Sequence, residues 1–240
     1  DPQYLVAFPE DLQFFGLSFA TNAGGYAVSG EVSFKPDTPV QINGNHLLAP
    51  ILAEVAVPTA IGSELVLERV LALQPGEAME GWDEYDVTQV QVTALKFFDQ
   101  ILGASRLTFV GEVGAVFVDG LESSGLAYGR SPVFGFDHAG HDGFATDASW
   151  GYRASGTLNY ANAFAGINLR PTLHLSHDVS GWSPGPGGQF NEGNKSVSLS
   201  VEASYLNAYS ATLGYKMFTG GKYNVNDEKD FLSISLAATY

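Results

Sequence analysis

The chain has no cysteine, so disulfides and thiolate metal sites are excluded, although the compartment is not fixed by that absence. It is poor in charge, with 15% Asp, Glu, Lys and Arg in 240 residues, which is low for a soluble protein of this size. It is poorer still in bases: 11 Lys and Arg against 26 Asp and Glu give a formal charge of −15. Nucleic acid is therefore excluded as a partner, because its phosphates would be repelled. Long apolar runs are missing as well. The longest, Leu47 to Ile61, is broken by Pro50, Glu54 and Pro58, whereas a spanning helix needs about 20 apolar residues. There is no initiator Met and no signal peptide, so the expectation is a mature protein or a fragment.

Period-two alternation is what the chain does have. The clearest case is the end, where Leu232, Ile234, Leu236, Ala238 and Tyr240 lie on one side of a strand and Ser233, Ser235, Ala237 and Thr239 on the other. A strand of this kind closing on a terminal aromatic is how outer-membrane barrels present their insertion signal, here Leu236, Ala238 and Tyr240. The pattern repeats along the chain. Phe15, Leu17 and Phe19 alternate with Gly16, Ser18 and Ala20, the glycines near Asn22 permit a tight turn, and Tyr26 to Lys35 alternates again. Further strands are expected at 86–98, 106–118, 149–161, 167–176, 196–205 and 209–217, followed by the last. Pro36 to Glu84 fits neither period and reads as a long excursion with one or two short helices.

These are about nine strands of about ten residues, near the length that a tilted strand needs to cross a bilayer. Connections near Asn22, Asp99, Asn162 and Asn207 are short; those beginning at Pro36, Asp119, Asp178 and Thr219 are long. Outer-membrane barrels show this asymmetry, and counting back from the last strand places every long connection outside. Phe19, Tyr26, Tyr160, Tyr205, Tyr209 and Tyr240 fall at the short-turn ends of the apolar face, as one interfacial girdle. Trp150, Tyr152 and Phe117 fit a second. A soluble β-sandwich would also alternate, but its solvent face would carry more Lys and Glu, whereas here the polar face is mainly Ser, Thr, Gly and Asn. The expected fold is thus all-β: an antiparallel transmembrane β-barrel of the outer-membrane type, spanning 1–240, with the excursion at 36–84 covering or plugging it. Nine strands leave the first and last running the same way. Antiparallel closure then requires further strands, expected N-terminal to Asp1 in a larger barrel.

Several stretches carry a resemblance. They are Phe8-Pro9-Glu10-Asp11-Leu12 leading to Gly16-Leu17-Ser18-Phe19, Gly30 to Pro36, the F-V-G-E-V-G-A run from Phe109, Trp150-Gly151-Tyr152-Arg153, Ser176-His177-Asp178-Val179, Ser183-Pro184-Gly185-Pro186 and Phe190-Asn191-Glu192-Gly193. Together they resemble a family of large outer-membrane proteins of unknown function from Pseudomonas-like proteobacteria, across nearly the whole chain. The resemblance implies a protein about twice this length, of which this is the C-terminal part. It also implies a periplasmic lipoprotein-carrier-like partner and a role near lipid or hydrophobic compounds. It carries over no catalytic residue.

The charges expected to face a lumen are Glu31, Glu112, Arg153, Arg170, Glu202 and Lys216, with His174. They can form a wall-stiffening network or a selectivity constriction. Arg153 is expected nearly opposite His174 across their hairpin, and Arg170 near Thr157. His138, His141 and Asp142 are a weak metal candidate by residue type, set in a Gly-rich loop without a supporting strand, so solvated loop residues are the stronger reading. No nucleophile elbow, zinc-hydrolase, phosphate-loop or dinucleotide motif is present. The reading is non-enzymatic and without cofactor: an outer-membrane channel or transporter that passes a small hydrophobic molecule through a lumen with a charged constriction. A plugged barrel serving as an anchor or docking platform is the alternative, and a lipid-acting outer-membrane enzyme the second. Expected partners are outer-membrane lipid, lipopolysaccharide and the barrel-assembly machinery of a Gram-negative bacterium.

Overall fold

A computed structural model of the chain describes residues 5–48, 63–135, 142–185, 187–206 and 208–239. Nine strands form one sheet in strict sequence order, each antiparallel to the next. They are β1 (Phe15–Ala23), β2 (Tyr26–Gln41), β3 (Trp82–Ile101), β4 (Ala104–Val118), β5 (Ala148–Phe164), β6 (Ile167–Ser180), β7 (Lys195–Tyr205), β8 (Tyr209–Thr219) and β9 (Phe231–Ala238). Two helices, α1 (Gly44–Leu48) and α2 (Ser63–Ala72), lie between β2 and β3. Among the described residues no helix is long and apolar enough to cross a membrane. β1 and β9 each pair on one side only, so the sheet is open.

The short connections are tight. Ala23 pairs with Tyr26 around Gly24-Gly25, Ile101 with Ala104 around Leu102-Gly103, and Phe164 with Ile167 around Ala165-Gly166. Both central residues of each loop have positive φ, the mirror-image turn whose twist matches that of paired strands. The strands run longer than the sequence pattern predicts. β3 reaches Ile101, past the expected connection at Asp99, and β5 reaches Phe164, past Asn162. The excursion is correspondingly shorter, from Ile42 to Gly81. Pro36 does not end β2, because a bulge between Lys35 and Thr38 absorbs it and pairing resumes as far as Gln41↔Trp82. The bulge also changes parity. Glu31, Ser33 and Lys35 share a face before it, and Thr38 and Val40 take over that face beyond it.

Register sorts the side chains into two faces. One carries Leu17, Val32, Val92 and Val113 on the first four strands and Leu173, Leu199, Leu213 and Ile234 on β6 to β9. These side chains are exposed, Leu17 at 78% and Ile234 at 71%. The opposite face carries Ser, Thr, Gly, Asn and the charges. The buried core is confined to the long-connection end of that polar face. There Val87, Val116 and Val118 pack with Ile42 and Val66 of the excursion, with Leu121, Leu126 and Tyr128 of the β4–β5 loop, and with Phe190 of the β6–β7 loop. Most apolar side chains of the sheet itself lie outside this core, the reverse of a soluble sandwich.

Candidate functional site

The polar face is the candidate site, and strand periodicity puts all six expected charges on it together with His174. Glu31 on β2 lies between Ser18 and Gln91 in the register. Glu112 on β4 accepts hydrogen bonds from Gln91 Nε2 and Thr93 Oγ1, both at 3.1 Å. Arg153 on β5 is the register partner of Glu112 but makes its ion pair elsewhere, with Asp178 at 2.7 Å. Arg170 on β6 meets Glu202 on β7 at 3.4 Å, both half-exposed. His174 sits between Ser155 and Ser198, and Lys216 on β8 opposite Ser198.

The expected cross-strand neighbours are displaced by two residues. Ser176, not His174, is opposite Arg153, and Thr157 faces Thr172, not Arg170. The cause is the irregularity between Tyr160 and Phe164 together with a turn placed at Ala165-Gly166, which shifts the register without changing the face. His138, His141 and Tyr240 lie outside the described residues. Of the expected insertion signal, Leu236 and Ala238 occupy the apolar face of β9. Asp142 is described; its carboxylate accepts from Lys222 Nζ at 3.2 Å on the surface. Among the described residues no three His, Asp or Glu gather as metal ligands.

A second set of residues at the long-connection end was not anticipated. Gly114 and Gly151 are register partners on the polar face, and the Phe190 ring lies against them. A Cβ on Gly151 would sit 2.9 Å from its ring and 2.6 Å from the His177 carbonyl, and one on Gly114 would sit 3.3 Å from the ring. The Arg153 guanidinium stacks 5.6 Å from the same ring. The loop returns here because strand groups hold it. Ser149 and Ser183 hydroxyls meet at 2.8 Å, Phe190 N–H donates to Ser183 Oγ, and Asn191 N–H donates to Asp178 Oδ2. Glycine inside a strand marks close approach of another segment, and that signal was available in the sequence.

The excursion is fastened beside it. Arg69 of α2 donates two hydrogen bonds to Asp83 at 2.9 and 3.2 Å, Tyr128 donates to Asp83 at 2.7 Å, and the Tyr85 and Tyr128 hydroxyls meet at 2.7 Å. Burial, then the bonds to Tyr85 and Asp83, hold the Tyr128 hydroxyl well above the ordinary tyrosine range. Asp83 likewise raises the Arg69 guanidinium. Asn43 Nδ2 donates to the Gly129 and Arg130 carbonyls, tying the start of the excursion to the β4–β5 loop. At the other end of the polar face, near the short turns, a cavity of about 500 Å³ opens over Asn159, Asn168, Arg170, Glu202 and Ser210.

Fold and site together define an all-β protein with a nine-stranded antiparallel meander, an exposed apolar face and a polar face capped at one end by loops. The chain belongs to the family described as "Protein of unknown function (DUF1302)", whose model matches residues 1–240. No curated protein and no solved structure matches the chain.

Proposed function

We propose that this sheet is part of the wall of an outer-membrane β-barrel in a Gram-negative bacterium, and that its polar face lines a route for a small hydrophobic molecule. The observation that carries this reading is the exposed apolar face. Phe34 and Tyr26, like Tyr152 and Tyr160, are eight residues apart, about 26 Å of strand at ~3.3 Å per residue. That is close to the ~25 Å apolar band between the aromatic girdles of such barrels. Within these limits the face holds mainly Val, Leu, Ile, Ala and Gly, with Phe19, Thr21, Pro171, Tyr215 and Met217, and no charged residue. Lys96 stands at its short-turn border, 4.1 Å from the Tyr26 ring centre and 5.2 Å from that of Phe98, where an ammonium can reach a headgroup region. Water would leave such a face unsatisfied; hydrocarbon would not.

β1 and β9 run in the same direction, so antiparallel closure takes further strands in odd number, which makes the barrel larger than this sheet. The hydrophobic substrate, the proteobacterial source, the position as the C-terminal part of a longer chain and the lipoprotein-carrier-like partner rest on the resemblance alone. Lipid, lipopolysaccharide and the assembly machinery follow from the location. The capped end supports a second reading. Ile42, Val66, Leu121 and Tyr128 close the polar face on the long-connection side, as they would in a plugged barrel that receives a partner.

Single-channel recording of the purified protein in planar bilayers tests the proposal. Stable conductance steps that change on Arg153→Gln and Arg170→Gln are the expected result. A folded, heat-modifiable but silent protein would overturn the open route and leave the plugged platform.

A further inference from the structure

We propose that the polar face of β6 to β9 holds a binding site for a carboxylate that carries an apolar group, with the head on His174, Ser198 and Lys216 and the apolar part on Phe218 and Phe231. The inference rests on the reading of this face as lumen and names the class of molecule it recognises.

One cross-strand row supplies the site. His174 pairs with Ser198, Ser198 with Lys216, and Lys216 with Phe231, so four consecutive strands place imidazole, hydroxyl, ammonium and phenyl side by side on one face. His174 and Lys216 are two strand spacings apart, about 10 Å between backbones. That leaves room for a carboxylate between the two side chains, above the Ser198 hydroxyl. All three groups donate: ammonium has three N–H, an imidazole keeps at least one in either protonation state, and a hydroxyl has one. A carboxylate only accepts, which makes it the complement.

The charges of the polar face single out this row. Among the described residues Lys35, Lys96, Lys195, Lys216 and Lys229 form no ion pair, but of these only Lys35 and Lys216 stand on the polar face, and Lys35 donates to Gln89 Oε1 at 3.3 Å. Arg153 has Asp178, Arg170 has Glu202, Arg69 has Asp83 and Arg106 has Asp99. Among the described residues Lys216 has no ion pair and no hydrogen bond; its Nζ rests 4.7 Å from the Phe218 ring centre. Asp230, beside Phe231, is engaged by the Phe218 N–H and the Tyr215 hydroxyl at the strand edge. The nearest acid on the face itself is Glu202, four residues along β7 from Ser198, which Arg170 already engages. The acids of the opposite half, Glu31 and Glu112, sit on β2 and β4. The face is therefore divided into an acid-bearing side and a side with a cation left over.

Phe218 and Phe231 break the polar pattern at the same place. Their ring centres are 6.4 Å apart, tilted by 37°, on a face that from β7 to β9 otherwise carries Ser, Thr and Gly with Glu202, Lys216 and Ala237. Phe231 is half-exposed, so an apolar group has a surface to rest on next to the cation. An anion without an apolar part would leave these rings unused, and a neutral apolar molecule would leave Lys216 unused.

Titration calorimetry of the full protein in maltoside micelles with benzoate, octanoate and acetate tests the site. Benzoate or octanoate is expected to bind at least about tenfold more tightly than acetate, the stronger of the two deciding between an aromatic acid and a fatty acid. Lys216→Gln should weaken binding about fivefold or more, while Lys216→Arg retains it, which separates lost charge from lost fold. Phe231→Ser should erase the preference over acetate, and Lys229→Gln, in the β8–β9 loop, should leave binding unchanged. No binding to the wild-type protein, or equal binding by Lys216→Gln, overturns the inference. Conductance without carboxylate binding would remove this site alone; binding that depends on Lys216 in a protein silent in bilayers would remove the open route and keep the site.

Discussion

Gly151 has a job that no other residue can do at its place. Its absent side chain admits both the His177 carbonyl and the edge of Phe190, and Gly114 opposite it admits the rest of the ring. Gly151→Val is expected to expel Phe190 and destabilise the protein by roughly 1–3 kcal/mol, the usual cost of overpacking. Faster protease cleavage within 181–194, without loss of the folded protein's electrophoretic mobility, would show it; unchanged cleavage would mean that the ring is held by Arg153 and the loop bonds alone. Tyr128 makes a second residue-scale prediction. Its folded-state pKa is raised above the ordinary value of 10.0, so its stabilisation is complete below about pH 10 and is lost as pH rises beyond it, when the unfolded state ionises first. Protease resistance of 119–135 should therefore fall above about pH 10. Tyr128→Phe should lower that resistance already at neutral pH, by ~1–2 kcal/mol of lost hydrogen bonding, and flatten the alkaline decline. Alternation placed Glu31, Glu112, Arg153, Arg170, His174, Glu202 and Lys216 on one face, because a face depends only on parity. Their partners depend on register, and register depends on turns that alternation does not encode. Asp178, the partner of Arg153, was hidden for that reason.

At the scale of elements, the nine strands were legible and several of their ends were not. Asp99 and Asn162 look like turn residues, yet the chain turns at Leu102-Gly103 and Ala165-Gly166. Both loops put a residue with a full side chain at positive φ, 54° at Leu102 and 48° at Ala165. Such a residue gives no turn signal and costs about 1–2 kcal/mol in that conformation. The strain is tolerated because the strands on either side are paired nearly to the tip. Asn suits the first position of this turn better than Ala. Ala165→Asn is therefore expected to stabilise the protein by about 0.5–1 kcal/mol, read as a higher urea midpoint at constant slope. A lower midpoint would mean that the Ala165 methyl is itself engaged. Pro36 misled for the opposite reason. Proline usually ends a strand, but here Pro36 and Asp37, the latter at φ 47°, form a bulge, and the strand resumes with Val40 delivered to the core. The excursion kept its helical character but lost its first six and last three residues to the strands.

For the whole molecule, the decisive quantity is where apolar surface goes. Val66 and Tyr128 are buried to 0% and 1% exposure, so the chain can build a core, yet it does so only under the loops. The sheet holds Leu199, Leu213 and Ile234 open at 54%, 52% and 71%, on a face that would be unstable in water. If that face meets hydrocarbon, the penalty for a charge on it must depend on depth and on side. Leu213, paired with Val201 and Ile234, lies mid-band. Leu213→Arg is expected to cost about 2–4 kcal/mol on refolding into lipid bilayers, and Tyr209→Arg, at the short-turn girdle on the same strand, about 0–1 kcal/mol. Thr212→Arg, between them in sequence but on the polar face, should cost less than Leu213→Arg, because a lumen hydrates it. Equilibrium refolding from urea into short-chain phosphatidylcholine vesicles gives all three values. A soluble protein of the same fold would give a different order, with Leu213→Arg mild wherever its side chain already meets water. Equal costs for Leu213 and Thr212 would remove the distinction between the two faces, and with it the membrane wall on which the proposed route depends.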